Sequence, residues 1–233
     1  NYVDAGTAAS ENLTYANGDT FILRADYKKT LTAGGPGRDS VRMQSNKQYT
    51  TSVTMYDTWP AIWTVGGDWP NQGEIDILEG VNDQGPNAAT LHTNAGCTMP
   101  ASRAQTGTPT SNNCDVVATG NTGCSVQFSG PNTYGPALNN IGGGWYAMER
   151  RPEYIKVFFW PRNAGNVPND VSSGASSINP DAWGTPAAYF PNTQCPIASK
   201  FGPHNIIINY YVNRNPGAFS NAYFNIQSLK VYT

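Results

Sequence analysis

The stretch GEIDILEG, residues 73–80, places three carboxylates among apolar residues. Glu74 and Asp76 are two positions apart, and Glu79 follows three positions later. Alternate residues of a regular strand share a face, so Glu74 and Asp76 point one way and Glu79 has the wrong parity. A one-residue β-bulge between Asp76 and Glu79 restores the parity. We therefore predict a bulged strand with all three acids on one face and Ile75 buried behind them.

The spacing of these acids suits catalysis by paired carboxylates. Four strand steps separate the backbones of Glu74 and Glu79 by about 13 Å. Side chains that lean together bring the carboxyls towards the ~5–5.5 Å of a retaining glycosidase, although the wider inverting separation stays open. Asp76 would couple to both glutamates and hold their pKa values apart. Two alternatives are an acidic, solvent-exposed strand face and a hard-cation site that also includes His92.

The composition favours a neutral partner. Of 233 residues only 13% are charged, and the formal net charge is −2. This balance gives no electrostatic basis for binding nucleic acid or an anionic membrane, and we expect neither as a partner. No apolar run approaches the ~20 residues needed to span a bilayer. The chain has 6 Trp, 13 Tyr and 8 Phe, enough to fill a core and still contact a ligand.

Several features indicate a processed, secreted glycoprotein. The chain starts without a signal peptide, so it is either cytosolic or processed. A single glycosylation sequon begins at Asn12. The cysteines are even in number and form no CxxC pair: Cys97, Cys114, Cys124 and Cys195. Four cysteines allow three pairings. We favour Cys97 with Cys114, because this bond would close the polar loop between them.

The chain is patterned as one all-β domain over residues 1–233. Short segments rich in β-branched and aromatic residues recur between Gly, Pro and Asn turns, many with a period of two. They are DTFILRADY, SVRMQS, QYTTSVTMYD, AIWTV, GEIDILE, AATLHT, WYAMER, YIKVFFW, HNIIINYYV and AYFNIQSLKVYT. The polar stretch 98–144 contains two of the cysteines, so we expect an ordered, disulfide-linked excursion. These features predict a β-sandwich.

The motifs resemble glycoside hydrolase family 16. GEIDILEG matches its E-x-D-x-x-E signature, and TWPAIW, GDWPNQGEIDILEGVNDQ, NAATLHT, GGGWYAMER and NAYFNIQSLKVY look like the secreted fungal laminarinases, which are endo-β-1,3(4)-glucanases. The similarity covers essentially the whole chain. It implies a jelly-roll β-sandwich with a curved sheet forming a glucan-binding cleft. The implied activity is retaining hydrolysis of laminarin-type β-glucan, without cofactor or metal.

The resemblance also assigns roles to residues. It implies that Glu74 is the nucleophile, Asp76 an assisting carboxylate and Glu79 the acid/base. It suggests that the remaining site residues bind substrate: Trp59, Trp63, Trp69, His92 and Arg42. For the tryptophans the alternative is core packing, for His92 an ordinary strand histidine, and for Arg42 a structural ion pair. His204 matches nothing catalytic, and we expect it at the surface or in a turn.

The sequence departs from the family at three points. The opening strands of the family are absent before residue 1, and the loops around residues 57–58 and 210–211 are short. Either the protein is shortened there, or residues are missing from the sequence. A shortened form could be a glucan-binding or self-assembling structural protein on the same sandwich. A glucan transglycosylase is a further alternative. We expect a monomer unless the shortened form self-assembles.

Overall fold

A computed structural model describes residues 1–32, 35–50, 52–56, 61–80, 84–209 and 223–233. Trp59 and the two points at residues 57–58 and 210–211 lie outside these ranges, so the predictions for them remain predictions.

The described residues form short strands and a few short helices. The strands are β1 (Thr14–Asn17), β2 (Thr20–Arg24), β3 (Arg42–Gln44), β4 (Ser52–Tyr56), β5 (Ala61–Gly66), β6 (Glu74–Glu79), β7 (Ala88–His92), β8 (Thr108–Pro109), β9 (Cys124–Gln127), β10 (Gly144–Arg151), β11 (Tyr154–Pro161), β12 (Ala188–Pro191), β13 (His204–Asn209), β14 (Tyr223–Ile226) and β15 (Lys230–Tyr232). The α-helices are α1 (Ala5–Ser10), α2 (Gly135–Asn140), α3 (Asn169–Ser172) and α4 (Ile197–Lys200). Single 3-10 turns span Pro131–Thr133 and Pro180–Ala182. None of these helices has the length and apolar character needed to cross a membrane.

The strands of the described residues form three antiparallel sheets. The largest has the order β3-β13-β5-β6-β7-β9-β8, and the second has the order β12-β11-β10-β4-β15. A small third sheet has the order β1-β2-β14. GEIDILEG is therefore the middle strand of the seven-stranded sheet, where it has a neighbour on both sides.

One hydrophobic core joins the two large sheets. Ile75, Leu78 and Leu91 of the seven-stranded sheet belong to the same buried cluster as Tyr146 and Phe190 of the five-stranded sheet. All five side chains are fully buried. The predicted jelly-roll β-sandwich is confirmed, because two antiparallel sheets pack around this core.

A second cluster covers the outward face of the five-stranded sheet. Phe158, Trp160 and Trp183 stack or meet edge to face within 5.6 Å. The Trp183 indole donates to both carboxylate oxygens of Asp170, at 3.0 and 3.2 Å. This cluster lies on the side of the molecule away from GEIDILEG.

The disulfide prediction was wrong. Cys97 is bonded to Cys195, 98 residues along the chain, and Cys114 is bonded to Cys124, only 10 residues away. Cys97 and Cys114 are nevertheless neighbours, because the Cys114 amide donates to the Cys97 carbonyl at 3.1 Å.

Each of these two cysteines is instead bonded to a cysteine on another neighbouring segment of the chain. The Thr98 amide donates to the Gln194 carbonyl, which brings the segment before α4 beside Cys97. Ser111 and Ser125 exchange backbone hydrogen bonds, which brings β9 beside Cys114. Both disulfides anchor the polar stretch 98–144, so the predicted ordered excursion is confirmed.

Candidate active site

The three carboxylates of β6 share one face of the seven-stranded sheet. They pair with alternate residues of β5: Glu74 with Val65, Asp76 with Trp63, and Glu79 with Ala61. Alternate residues of a strand point to the same face, and directly paired residues share that face. We call Glu74, Asp76 and Glu79 the acid cluster.

A β-bulge produces this arrangement. Ile62 pairs with Leu78 and Trp63 pairs with Asp76, so Ile77 is the extra residue of β6. The predicted bulge between Asp76 and Glu79 is confirmed. Ile75, Ile77 and Leu78 are fully buried in the core behind the acids.

Glycines at both ends of GEIDILEG allow the strand to fit. Gly73 has φ +73°, and a Cβ there would lie 2.5 Å from the Phe201 ring. A Cβ on Gly80 would lie 1.7 Å from the Tyr134 ring. Larger residues are therefore excluded on both sides of the acid cluster.

His92 lies beside the acid cluster on the same face. It pairs with Glu74 across β6 and β7, and its Nε2 lies 3.2 Å from Asp76 Oδ2. Both His92 and Asp76 are buried. Burial opposes protonation of His92, but the hydrogen bond to Asp76 and the charges of the acid cluster raise its pKa.

Both glutamates hold a proton more tightly than usual. Burial, with repulsion from Asp76, raises the pKa of Glu74 from 4.5 to about 8. Burial, and then repulsion from Asp76, also raise the pKa of Glu79. Glu79 is exposed at the end of the strand, but protein atoms around its carboxyl still reduce the hydration of this group. The neighbouring Trp69 side chain acts in the opposite direction on the pKa of Glu74 and favours the ionised form.

The group also has the composition of a cation site. Glu74, Asp76 and His92 each offer one ligand atom, and these atoms lie within 4.8 Å of one another. Glu79 is not part of this set. The contact between His92 and Asp76 already gives two of these groups a partner within the protein.

Two tryptophans lie next to the acid cluster. Trp69 is 45% exposed, and its side chain is near enough to Glu74 to lower the pKa of that carboxyl. Trp63 is half-buried, and its Nε1 donates to Asn209 Oδ1 at 2.6 Å. The exposed Arg42 packs its guanidinium over the Trp63 ring at 5.0 Å. Trp63 and Arg42 thus form one polar-aromatic surface beside the acids, and the buried Asn209 holds the Trp63 ring in place.

The prediction for His204 was wrong. It is 2% exposed, and its Nε2 donates to the Gln72 carbonyl at 2.7 Å. Nδ1 therefore accepts the hydroxyl proton of Thr64, at 2.8 Å. Burial and the charge of Arg150 lower the pKa of His204 to about 3, so it is neutral at physiological pH. Because Gln72 precedes Glu74 by two residues, His204 fixes the turn that leads into the acid cluster.

Sequence reasoning did not single out Asn209 or Asn87. Asn209 is the partner of Trp63, and Asn87 hydrogen-bonds to the backbone on both sides of Leu78. The motif NAATLHT contains Asn87, but nothing in its pattern separates a buried asparagine from a turn residue. Asn12, the predicted glycosylation site, is exposed after α1.

Comparison with known proteins identifies related sequences. The family model described as "XgeA-like, catalytic GH16 domain" matches residues 1–211. An endo-1,3(4)-beta-glucanase of Arthroderma benhamiae is 36% identical over 272 residues, covering 100% of this chain and 58% of the relative. The chain spans about half the length of the curated relatives it matches.

Solved structures agree closely with this fold. Laminarinase 16A of Phanerochaete chrysosporium, with two 6-O-glucosyl-laminaritriose molecules bound in its donor and acceptor sites, has a TM-score of 0.96 and 55% identity. The match covers 100% of this chain and 90% of that one. An elongating β-1,3-glucosyltransferase of the GH16 family has a TM-score of 0.88 and 33% identity, with the same coverage.

Proposed function

This chain belongs to glycoside hydrolase family 16, and we propose that it is a retaining endo-β-1,3(4)-glucanase acting on laminarin-type β-glucan. Similarity to fungal glucanases and to a laminarinase supports a glycoside hydrolase. The retaining mechanism and the preference for laminarin are the parts of the proposal that need a direct test.

One observation carries the proposal: the bulge at Ile77 brings two glutamates onto one face with Asp76 between them. A purely exposed acidic strand would not bury Asp76 or raise the pKa of both glutamates. Paired carboxylates on one surface are the groups required for glycoside hydrolysis.

The two glutamates act in two steps. Glu74 attacks the anomeric carbon as the bond to the leaving oxygen breaks, and Glu79 donates its proton to that oxygen. Glu79, now ionised, then takes a proton from water, and the resulting hydroxide displaces Glu74 from the same carbon. Two inversions return the original β configuration.

The productive protonation state has Glu74 ionised and Glu79 protonated. Glu74, with a pKa of about 8, retains a proton in the free protein at neutral pH. Both glutamates interact with Asp76, so the protons of the acid cluster belong to the group rather than to one residue. Trp69 and protonated His92 both favour the ionised form of Glu74. Glucan binding selects the form with the proton on Glu79.

The aromatic and polar neighbours suit a neutral sugar. The exposed face of Trp69 offers a stacking surface for the C–H groups of a glucose ring. Trp63 and Arg42 offer a second ring with a hydrogen-bonding group. We assign both surfaces to glucan binding, and we assign His92 to the orientation of Asp76.

A transglycosylase is the second candidate. The similarity to an elongating β-1,3-glucosyltransferase at 33% identity favours it. The covalent intermediate is shared, and the two activities differ in whether water or a sugar hydroxyl takes part in the second step. A non-catalytic glucan-binding protein is less well supported, because all three acids are present.

We also propose that the protein is secreted and glycosylated at Asn12. Two disulfides are typical of oxidising compartments. Asn12 is exposed, as an acceptor asparagine must be. Mass spectrometry of the protein from its native source, with and without glycosidase treatment, tests this assignment.

Incubation with laminarin and lichenan tests the main proposal. We expect new reducing ends from laminarin, with the β-anomer seen first by NMR. Products longer than the starting oligosaccharide would instead favour the transglycosylase. Initial release of the α-anomer would contradict the retaining mechanism, and absence of new ends or transfer products would contradict catalysis. Glu74→Gln is the matched inactive control.

A further inference from the structure

Pairing between β6 and β7 stops at the bulge. The last paired residues are Asp76 and Thr90, and the same register continued would set Asn87 opposite Glu79. Instead, the Asn87 side chain makes the hydrogen bonds to β6 that the backbone of a paired strand would make. Its Nδ2 donates to the Ile77 carbonyl at 2.9 Å, and its Oδ1 accepts from the Glu79 amide at 3.0 Å.

Asn87 is itself firmly held. It is fully buried, and its backbone amide donates to the Thr133 hydroxyl at 2.9 Å. The Phe128 amide donates to the Asn87 carbonyl at 2.8 Å. A side-chain amide offers a fixed donor and a fixed acceptor together, whereas an ionised carboxylate would have no proton for the Ile77 carbonyl. The donor and the acceptor of the Asn87 side chain therefore match the Ile77 carbonyl and the Glu79 amide, and the contacts of the Asn87 backbone hold them in place.

We propose that Asn87 is a positioning residue for Glu79, fixing its backbone so that its carboxyl reaches the glycosidic oxygen. This inference rests on the proposed function. His204, through Gln72, holds the other end of β6 independently. Loss of the Asn87 amide should therefore misplace Glu79 while Glu74 stays in position.

A displaced acid has a characteristic kinetic effect. A poor leaving group needs the proton from Glu79, whereas a strongly electron-withdrawing phenolate leaves without it. The value of kcat/KM covers only the steps up to departure of the leaving group. The later role of Glu79 as a base therefore does not affect this value. A general loss of folded protein lowers kcat/KM equally for all substrates.

The test compares phenyl and 2,4-dinitrophenyl β-laminaribiosides with the wild-type protein and Asn87→Ala. We expect kcat/KM for the phenyl substrate to fall by at least about tenfold, and by no more than the roughly 10²–10⁴-fold that general acid catalysis contributes in full. For the dinitrophenyl substrate, kcat/KM should stay close to the wild-type value. Trp183→Phe is the control, because it removes partly buried hydrogen bonds to Asp170 far from the acid cluster. It should leave the ratio of the two rates unchanged.

Equal losses for both substrates, or no loss for either, would overturn the role of Asn87. If Asn87→Ala does not fold, Thr133→Val takes its place, because it removes the hydroxyl that accepts from the Asn87 amide, together with the bond from that hydroxyl to the Gly130 carbonyl. A smaller loss confined to the phenyl substrate is then expected, and an unchanged ratio overturns the proposal. Wild-type protein inactive on both substrates and on laminarin would instead refute the proposed function.

Discussion

At the scale of single residues, Glu74 and Glu79 share a direction of pKa shift but differ in their partners. Glu74 lies near Trp69, which favours its ionised form, and pairs with His92, whereas Glu79 lies at the exposed end of β6. The better solvated end suits a group that must exchange protons with water, and the enclosed position suits a nucleophile.

Glu79→Ala should lower laminarin hydrolysis by about 10²–10⁴-fold, because the general acid is lost. Azide should partly restore turnover of 2,4-dinitrophenyl β-laminaribioside, because it attacks the glycosyl-enzyme without a base. The product, identified by NMR, should be the β-glycosyl azide. Rescue of Glu74→Ala instead, with an α-azide as product, would reverse the two roles.

Glu74→Gln should stabilise the fold more at pH 8 than at pH 5. The raised pKa means that folded Glu74 keeps a proton that the unfolded chain loses between about pH 4.5 and 8. Rising pH in this window therefore destabilises the wild-type protein, and Gln escapes this penalty. Calorimetry at both pH values should show gains in Tm that differ by at least about 2 °C. Glu153→Gln, in an exposed turn, is the control, and equal gains for Glu74→Gln would contradict the shift.

Trp69→Ala should weaken binding of laminari-oligosaccharides while Tm stays within about 4 °C of the wild type. The loss of stacking on one exposed ring corresponds to about 0.5–1.5 kcal/mol, or roughly two- to tenfold in Kd. Titration calorimetry on the Glu74→Gln background measures this without hydrolysis. Trp183→Phe should show the opposite pattern, with lower Tm and unchanged binding. The same pattern from Trp69→Ala would assign Trp69 to the core.

Sequence predicted the residues whose signal is local, and missed those defined by distant contacts. The three acids and Trp69 lie within eleven consecutive residues, so their pattern is visible. Asn209 and Trp63 are 146 residues apart, and His204 and Gln72 are 132 apart. Hydrogen bonds across such separations depend on sheet order, which residue spacing does not contain.

At the scale of elements, parity alone predicted the bulge. Two acids in phase and one out of phase require one extra residue, and the register supplies it at Ile77. The final predicted segment, AYFNIQSLKVYT, is instead two strands. Its first part, β14, joins the three-stranded sheet, and its last part, β15, joins the five-stranded sheet. The apolar positions change parity between the two parts, from Phe224 and Ile226 to Leu229 and Val231, and the prediction of one continuous strand ignored this break.

Deletion of Leu78 should abolish catalysis although all three acids remain. Glu79 could still pair opposite Ala61, so the distance between the backbones of the two glutamates would change little. The expected loss comes instead from a change in the direction of the Glu79 side chain. The Ile77 carbonyl and Glu79 amide would belong to one peptide unit and point to opposite sides, so Asn87 could not bond both. Misplacement by about 1 Å can cost 10²-fold in rate. We expect at least that loss of laminarin hydrolysis in protein shown to be folded by circular dichroism.

Leu78→Ala is the control for this deletion. It keeps the bulge and removes only core volume, so it should lower the free energy of unfolding by about 2–5 kcal/mol. The folded fraction should still hydrolyse laminarin. Wild-type activity in the deletion variant would show that the bulge does not aim Glu79.

At the scale of the whole molecule, the sandwich turns one face of its seven-stranded sheet to solvent and buries the other. Composition and alternation were sufficient to predict this class of fold. They could not predict that Cys97 bonds to Cys195, because α4 and the polar stretch meet only in the assembled sandwich. The fold thus provides a rigid central strand on which the acid cluster is built.

Trapping the covalent intermediate tests the central claim most directly. A 2-deoxy-2-fluoro β-laminaribiosyl fluoride slows both chemical steps, but its good leaving group lets the first proceed, so the glycosyl-enzyme accumulates. We predict a mass increase of one fluoroglycosyl unit per molecule, located at Glu74 by peptide mapping. Labelling of Glu79 or Asp76, or unlabelled protein that still hydrolyses laminarin with inversion, would contradict Glu74 as the nucleophile.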